Sequence, residues 1–512
     1  MNKSIDEKVR LLFERLSENG STGRLGKTFC TDKNYYFFDT GTGKVAKLKI
    51  NVYLVIKKIL ESDNYCDVLG LPLTADDFLD ALNEIDLAIK TENILSANPV
   101  QTLTGDAVEK LDEILANGIQ NITLEVTEKC NLRCKYCIYN TSHQEYREFG
   151  TRNMSWDVAK KAVDFLNDHS THAQNCHIGF YGGEPLINFE LIKKVVKYAK
   201  EKMEGITFAL TTNAVLMTEE IAQFFFDNDF SVIISLDGPQ DVHDENRVLK
   251  DGTGSFNKTV EGAKKIIKMY HENGKTSKIG FNIVTTGPNY LEKYDKIQAF
   301  IETEDWIPKD IFILTSGEDV GPRESPYFLP QSQEERKYIE GAFEPLSKWE
   351  REHKKDKKPL FTDGVMDKGM LIIHKRILTD KPVARYGMNG CCVPGERRVY
   401  VTVDGKFLHC EKVGNIPDIG NIDQGLDKEK IRKLYVNDFI SEATKYCKNC
   451  WAVNLCTLCY VSCYDQKGTH FEYRHNPCRV ERQYLENNLI RYHSILETEP
   501  ESLSHYNDVE LT

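Results

Sequence analysis

The chain has 512 residues, a formal net charge of -12, 40% hydrophobic residues and 28% charged residues. That length suits roughly two to four domains of an ordinary soluble globular protein, and the negative charge argues against general binding to nucleic acid or an anionic membrane. No apolar run approaches the ~20 residues that span a bilayer, and the opening stretch, Met1 to Glu7, has no apolar signal core, so a cytoplasmic location is expected.

In chain order, residues 1 to 25 are polar and read as a helix or an arm. Tyr35 to Asp39 reads as a strand, Thr40-Gly41-Thr42-Gly43 as a turn, and Lys44 to Leu48 as the returning strand. Val52, Val55, Ile56 and Ile59 recur as one face of a helix, and Thr74 is placed to cap a second helix carrying Phe78, Leu82 and Ile85. Strands with short helices in residues 1–115 suit a small winged-helix-like domain. Such domains often bind DNA, but this one lacks the basic charge for it.

Between residues 116 and 325 six apolar runs alternate with helical stretches: Ile122–Val126, His177–Tyr181, Ile206–Leu210, Val232–Ser235, Ile279–Val284 and Ile311–Leu314. That alternation predicts a parallel sheet. Six units fall short of the eight of a closed barrel, so an α/β partial (β/α)6 TIM-like barrel is expected, with its chemistry at the carboxyl ends of the strands. The first strand feeds Cys130-Asn131-Leu132-Arg133-Cys134-Lys135-Tyr136-Cys137, three thiols spaced C-x3-C-x2-C. Three thiolates on a four-iron cluster leave one iron without a protein ligand. The rival is a structural zinc loop, which wants a fourth ligand; His143 is the nearest candidate. Neither a Gly-x-Ser-x-Gly elbow nor a Walker loop is present.

Residues 318–335 read as a loop and 351–358 as a solvated helix end, within a bridging helical region over 326–385. Nine of the fifteen cysteines then fall between Cys391 and Cys478. Clustered cysteines in a reducing compartment hold metal more often than they pair; a secreted disulfide module and a pair of zinc ribbons are the alternatives. Val399 to Cys410 reads as a hairpin with an Asp404-Gly405 turn, inside a cysteine-rich domain over 386–485 followed by a tail over 486–512. Cys30, Cys66 and Cys176 stand apart and are expected to be small buried apolar residues.

The C-x3-C-x2-C loop, Gly182-Gly183-Glu184-Pro185, Thr211-Thr212-Asn213, Ser235-Leu236-Asp237-Gly238 and Arg247 lie in order at successive strand ends. In that order they resemble the radical S-adenosylmethionine (SAM) enzymes. The later pattern, G-x4-C at Gly405–Cys410 with Cys447-x2-Cys450-x5-Cys456 and Cys478, resembles their SPASM extension, which holds two auxiliary four-iron clusters. The resemblance covers nearly all of residues 120 to 480. It implies SAM and three 4Fe-4S clusters as cofactors. Cys130, Cys134 and Cys137 hold the SAM-binding cluster. Gly182, Gly183, Glu184, Thr212, Asn213, Ser235 and Asp237 contact SAM, Arg247 pairs with its carboxylate and Tyr136 packs on its adenine.

By the same resemblance Cys447, Cys450, Cys456 and Cys478 take the second auxiliary cluster, and Cys392, Cys410 and a later cysteine take the first. The usual position of that later cysteine is Tyr460 here, flanked by Cys459 and Cys463, and the smaller shift favours Cys459. Cys391 is a fourth ligand, a spare or the true first ligand. The implied activity is that of a peptide maturase forming thioether cross-links in a ribosomally made Cys-rich precursor. Residues 1–115 would recognise its leader, and flavodoxin or ferredoxin would supply electrons. The alternatives are an anaerobic sulfatase-type maturase making formylglycine from Cys or Ser, another SPASM peptide-modifying enzyme, and a binding protein whose clusters sense redox state.

Overall fold

The computed structural model describes residues 3–17, 25–140, 148–173, 175–286, 290–317, 369–388, 390–396, 398–413, 416–465 and 467–509. The expected loop at 318–335 and helix end at 351–358 lie outside them.

The chain opens with helix α1 (Lys3–Ser17), whose Ile5, Val9, Leu12, Phe13 and Leu16 share one buried face. A three-stranded antiparallel sheet follows, β1 (Gly26–Cys30), β2 (Tyr35–Asp39) and β3 (Val45–Leu48), with β2 in the middle. Sequence reasoning found β2 and β3 but missed β1, whose Gly-Lys-Thr-Phe-Cys carries no alternation. Helices α2 (Ile50–Glu61) and α3 (Ala75–Glu92) bury the residues that the spacing predicted. The Thr74 hydroxyl accepts from the Asp77 amide at 3.2 Å, a cap worth about 1 kcal/mol.

The two faces of this small sheet serve different cores. Phe37 points into the helices, while Phe29, Tyr36 and Phe38 pack against Leu485, Leu489 and Tyr492 of the long helix near the other end of the chain. That helix runs His475–Thr498, so the expected boundary at residue 485 falls inside it, and residues 486–498 are a packed helix rather than a tail. Cys30 and Cys66 are exposed and Cys176 is half-buried, against the expectation that all three fill a core. Cys30 ends an edge strand and Cys66 sits on a five-residue surface helix, where neither reaches an apolar interior.

The central sheet contains the six predicted parallel strands: β4 (Asn121–Thr127), β5 (His177–Gly182), β6 (Thr207–Thr212), β7 (Ser231–Ser235), β8 (Ile279–Thr285) and β9 (Phe312–Gly317). They lie side by side in chain order. Helices α4 (Trp156–His169), α5 (Phe189–Lys202), α6 (Glu219–Asp227), α7 (Phe256–Glu272) and α8 (Tyr290–Thr303) alternate with them. The sheet order has two ends, so the sheet does not close. Ile122, Leu124 and Val126 of β4 enter the main core, leaving Thr123 and Glu125 on the opposite face.

The sheet does not stop at β4. The predicted hairpin, β10 (Val399–Val401) and β11 (Lys406–Leu408), joins it, with Val399 beside Ile122 and Val401 beside Leu124 in parallel register. Two short strands, β12 (Gly420–Asn421) and β13 (Gly425–Leu426), extend it to ten. Alone, β4 would be an edge with unpaired amides and carbonyls; the cysteine-rich segment supplies the missing neighbour. Gly405 holds φ of 82° in the hairpin turn, as an Asp-Gly turn requires.

Candidate active site

The cysteine loop leaves the carboxyl end of β4 and is pinned across the strand ends. The Arg133 amide donates to Val248 O at 2.8 Å and the Lys135 amide to Asn246 O at 3.0 Å. Cys130 and Cys134 are buried with Leu132 and Tyr136, and Cys137 is half-buried beside them. Burial pushes the thiols of Cys130 and Cys134 up to about 12. Among the described residues no three Cys, His, Asp or Glu side chains converge tightly enough to hold a single metal ion. A four-iron cube holds its thiolates farther apart than one ion does. His143, the candidate fourth zinc ligand, lies outside the described residues.

The Gly182-Gly183 turn is pressed against this loop. The Gly183 amide donates to Thr127 O at 2.9 Å and the Glu184 amide to Lys129 O at 2.8 Å. A side chain at Gly182 would run into Thr127 O, and one at Gly183 into Lys129 O. These glycines therefore admit the chain's own backbone, a role the motif alone did not reveal. Glu184 is buried, and both its oxygens are occupied. Oε1 accepts from the Leu186 amide at 3.1 Å and Thr212 Oγ1 at 2.7 Å, and Oε2 accepts from the Asn213 amide at 2.8 Å. Burial raises its carboxyl to about 7, against the pull of those donors. Glu184 thus braces β5 against β6.

Arg247 and Tyr136 converge on Asp237. Arg247 Nε donates to Asp237 Oδ2 at 2.9 Å, the Tyr136 hydroxyl to the same oxygen at 2.5 Å, and the Val284 amide to Oδ1 at 2.9 Å. The guanidinium also lies over the Tyr136 ring, 5.3 Å from its centre. Sequence reasoning gave Arg247 a ligand carboxylate; the structure gives it Asp237. His243, which the motifs did not flag, backs the group. Its Nδ1 accepts from the Asp237 amide at 3.3 Å and its Nε2 meets Ser255 Oγ at 3.0 Å. Ser235 is buried at the end of β7.

Among the described residues, one buried donor at the site has no partner. Asn213 Oδ1 accepts from the Val215 amide at 3.0 Å, so its Nδ2 donates to Asn131 Oδ1 at 2.8 Å. That fixes the Asn131 amide and leaves its Nδ2 buried and unpaired. An unmade buried hydrogen bond costs about 1–3 kcal/mol. Asn131 adjoins Cys130, so the orphan donor fits a cluster sulfur or a SAM oxygen beside that thiolate.

Below the loop, a cavity of about 500 Å³ is lined by Glu125, Glu128, Arg152, Gly183, Asp404 and Leu408, among others. Glu128 and Asp404 both pair with Arg152, at 2.6 and 3.3 Å. None of these four charged residues was expected at the site from sequence, where Asp404 figured only as a turn residue; the inward alternation of β4 was the one signal for Glu125. Ile416 also lines the cavity, and Leu408 and Ile416 pack with Cys410.

The later cysteines gather around two places. Cys447, Cys450, Cys456 and Cys478 line one cavity together with Cys391 and Arg474. Cys410, whose thiol burial pushes up to about 12, is raised further by Glu411 and Cys459. Both Cys410 and Cys392 act on Arg398. Cys463 is wholly buried instead, and it acts on Cys391 and Tyr464. Tyr460, standing where the pattern expects a cysteine, is a core residue. Its hydroxyl donates to Tyr435 O at 2.6 Å, and its ring meets Tyr435 and Phe439 edge-on. Tyr435 belongs to a π-helix, Ile431–Asp438, in which the hydroxyls of Tyr460 and Tyr464 take carbonyls of Tyr435 and Leu434.

A three-thiol loop and a glycine turn at the carboxyl ends of a partial parallel sheet define an α/β enzyme of the radical SAM class. Residues 124–301 match the radical SAM superfamily, so this part of the chain is a radical SAM enzyme domain, whose cofactors are SAM and a 4Fe-4S cluster. The chain is 27% identical over 393 residues to a cysteine-type anaerobic sulfatase-maturating enzyme of Clostridium novyi, covering 73% of this chain and 96% of that one. It is 31% identical over 175 residues to the radical SAM cyclopropyl synthase TigE of Paramaledivibacter caminithermalis, covering 32% and 35%. The solved structure of native anSMEcpe with bound AdoMet shares the fold, with a TM-score of 0.53 and 21% identity over 74% of this chain and 100% of that one. Among the described residues no helix is long and apolar enough to cross a membrane.

Proposed function

We propose that the chain is a peptide maturase that installs thioether cross-links in a ribosomally made, Cys-rich precursor. The observation that carries this reading is the cavity lined by Gly183, Leu408 and Ile416, the last two of which share an apolar cluster with Cys410. In this reading Cys392, Cys410 and Cys459 hold the first auxiliary cluster, and Cys447, Cys450, Cys456 and Cys478 hold the second. Cys459 acts on the Cys410 thiol, which supports that choice over Cys463, although both act on Cys391. Three protein ligands would leave an iron open to a substrate thiolate at the floor of the cavity.

Cys130, Cys134 and Cys137 would hold the cluster that, together with SAM, would supply the radical chemistry for removing hydrogen from a substrate carbon. The chain's own residues orient and enclose. Asn131 donates toward the cluster and SAM, and Glu184 keeps the glycine turn against β6. Asp237, Arg247 and Tyr136 close the far side, and the cavity walls keep water from the reacting carbon. Holding the peptide sulfur near that carbon makes bond formation effectively unimolecular. The leader would add a strand to the edge strand β3, and flavodoxin or ferredoxin would donate electrons.

A second reading, a sulfatase-type maturase, is favoured by the match along 96% of the Clostridium novyi enzyme. One experiment separates them. A Cys-rich precursor incubated anaerobically with enzyme, SAM and reductant should become lighter by two hydrogens per link. It should also lose one alkylatable thiol per link that reductant does not restore. A hydrazide-reactive aldehyde at one residue of a sulfatase peptide would establish the second reading instead.

A further inference from the structure

Arg474 lies where the two auxiliary cysteine groups meet. It is buried, and it donates to the chain between them: Nη2 to Leu458 O at 2.5 Å and Cys459 O at 3.4 Å, and Nε to Ser462 Oγ at 3.0 Å. Phe471 and Phe439 flank the guanidinium, 5.1 and 5.5 Å from its carbon. No Asp or Glu among the described residues forms an ion pair with it. The groups that act on its charge are the sulfurs of Cys391, Cys463, Cys456 and Cys478. It also lines the cavity shared by Cys447, Cys450, Cys456 and Cys478.

A guanidinium stays charged when buried, and a buried charge without a counter-charge is strongly unfavourable. The neutral oxygens of Leu458, Cys459 and Ser462 accept hydrogen bonds from it but do not balance its charge. An iron–sulfur cluster bound by four thiolates is an anion, and it becomes more negative on reduction. A fixed cation at its edge, in a low-dielectric setting, therefore stabilises the reduced form more than the oxidised one.

We propose that Arg474 is a positioning residue that fixes the Leu458–Ser462 turn between the two cysteine groups and raises the reduction potential of the cluster at Cys447, Cys450, Cys456 and Cys478. The inference rests on the reading that this group holds an auxiliary cluster. It adds that the cluster is tuned to take electrons more readily than its thiolates alone would allow.

The test uses the full chain carrying Cys130, Cys134 and Cys137 all replaced by Ala, so that only auxiliary signals remain. Iron is counted after anaerobic reconstitution, and the potentials are read by EPR-monitored titration. If this background holds no iron, the auxiliary-cluster reading fails, and the Arg474 inference falls with it. If it holds iron, Arg474→Gln should lower one midpoint. The reduced-to-oxidised ratio at the original midpoint should fall about tenfold, equal to about 59 mV for one electron, and Arg474→Lys should restore most of it. Loss of that cluster in Arg474→Gln but not in Arg474→Lys would also support the inference, because charge and not shape would be required. An unchanged midpoint in Arg474→Gln, or equal loss of iron in both variants, would overturn it and leave Arg474 a structural fastener.

Discussion

Arg247 and Asp237 form an ion pair whose side chains are only 7% and 2% exposed. It ties the end of β7 to residues 246–248, whose carbonyls hold the cysteine loop, and Tyr136 from inside that loop donates to the same carboxylate oxygen. The pair therefore couples the order of the cysteine loop to the sheet.

Breaking one partner should cost more than removing both. Asp237→Asn leaves the buried guanidinium uncompensated, a loss of about 3–5 kcal/mol for such pairs. Anaerobic denaturant unfolding of the loaded enzyme should show that loss, with SAM cleavage falling alongside. The double variant Asp237→Asn with Arg247→Met should be less destabilised than Asp237→Asn alone. Equal destabilisation would mean that the pair is not energetically coupled.

Acid should weaken the fold before it protonates most carboxylates. Burial holds His243 and His493 near 4, below the ordinary 6.5. Between those values the unfolded chain binds protons that the folded chain refuses, so stability is full above about 6.5 and is lost as pH falls toward 4. Each group contributes at most about 3 kcal/mol to that loss. His493 sits between Phe29 and Tyr36, ring centres 5.1 Å away, so the contact of the first sheet with the His475–Thr498 helix should be the part that loosens. Thermal melts at pH 7.5 and 5 should show a smaller drop for His493→Gln than for the unmodified chain.

The parts of this structure legible in sequence were those set by local pattern. The six strands of the catalytic sheet, the buried faces of Ile50–Glu61 and Ala75–Glu92, and the Asp404-Gly405 turn each follow from periodicity or from one backbone requirement. What stayed hidden depends on distant partners. Nothing in Val399–Val401 says that it will pair with Ile122–Leu124, about 280 residues earlier. That Arg247 pairs with Asp237 could not be read from the motifs, which marked each of them separately as a ligand contact. The motif marked the glycines at 182 and 183 as ligand contacts and gave no sign of the close approach of Thr127 and Lys129 of the chain itself.

The ambiguity between Cys459 and Cys463 resolves by iron. Cys459 adjoins Cys410, whereas Cys463 is enclosed with Cys391 and Tyr464. Cys459→Ala should lower iron after reconstitution by up to about a third of a three-cluster total. Cys463→Ala should keep the iron and lose only the ~1 kcal/mol expected for a small buried side chain. The opposite pattern would assign Cys463 to the first auxiliary cluster.

The place of the leader can be tested without removing the amino-terminal sheet. Deleting the sheet would strip Phe29, Tyr36 and Phe38 from Leu485, Leu489 and Tyr492, so a failed truncation would say little about recognition. A single edge position is cleaner. The Asp39 amide donates to Lys44 O at 2.9 Å, so in an antiparallel pair the main-chain groups of Val45 and Lys47 turn away from β2, toward the free edge of β3. Lys47→Pro removes one of those outward amides while sparing the β2–β3 ladder. It should weaken precursor binding roughly tenfold, the cost of about 1.4 kcal/mol for a main-chain hydrogen bond and its neighbours. SAM cleavage without the precursor should stay unchanged, because residue 47 lies outside the catalytic sheet. Unaltered precursor affinity in a folded Lys47→Pro enzyme would show that the leader does not extend this edge.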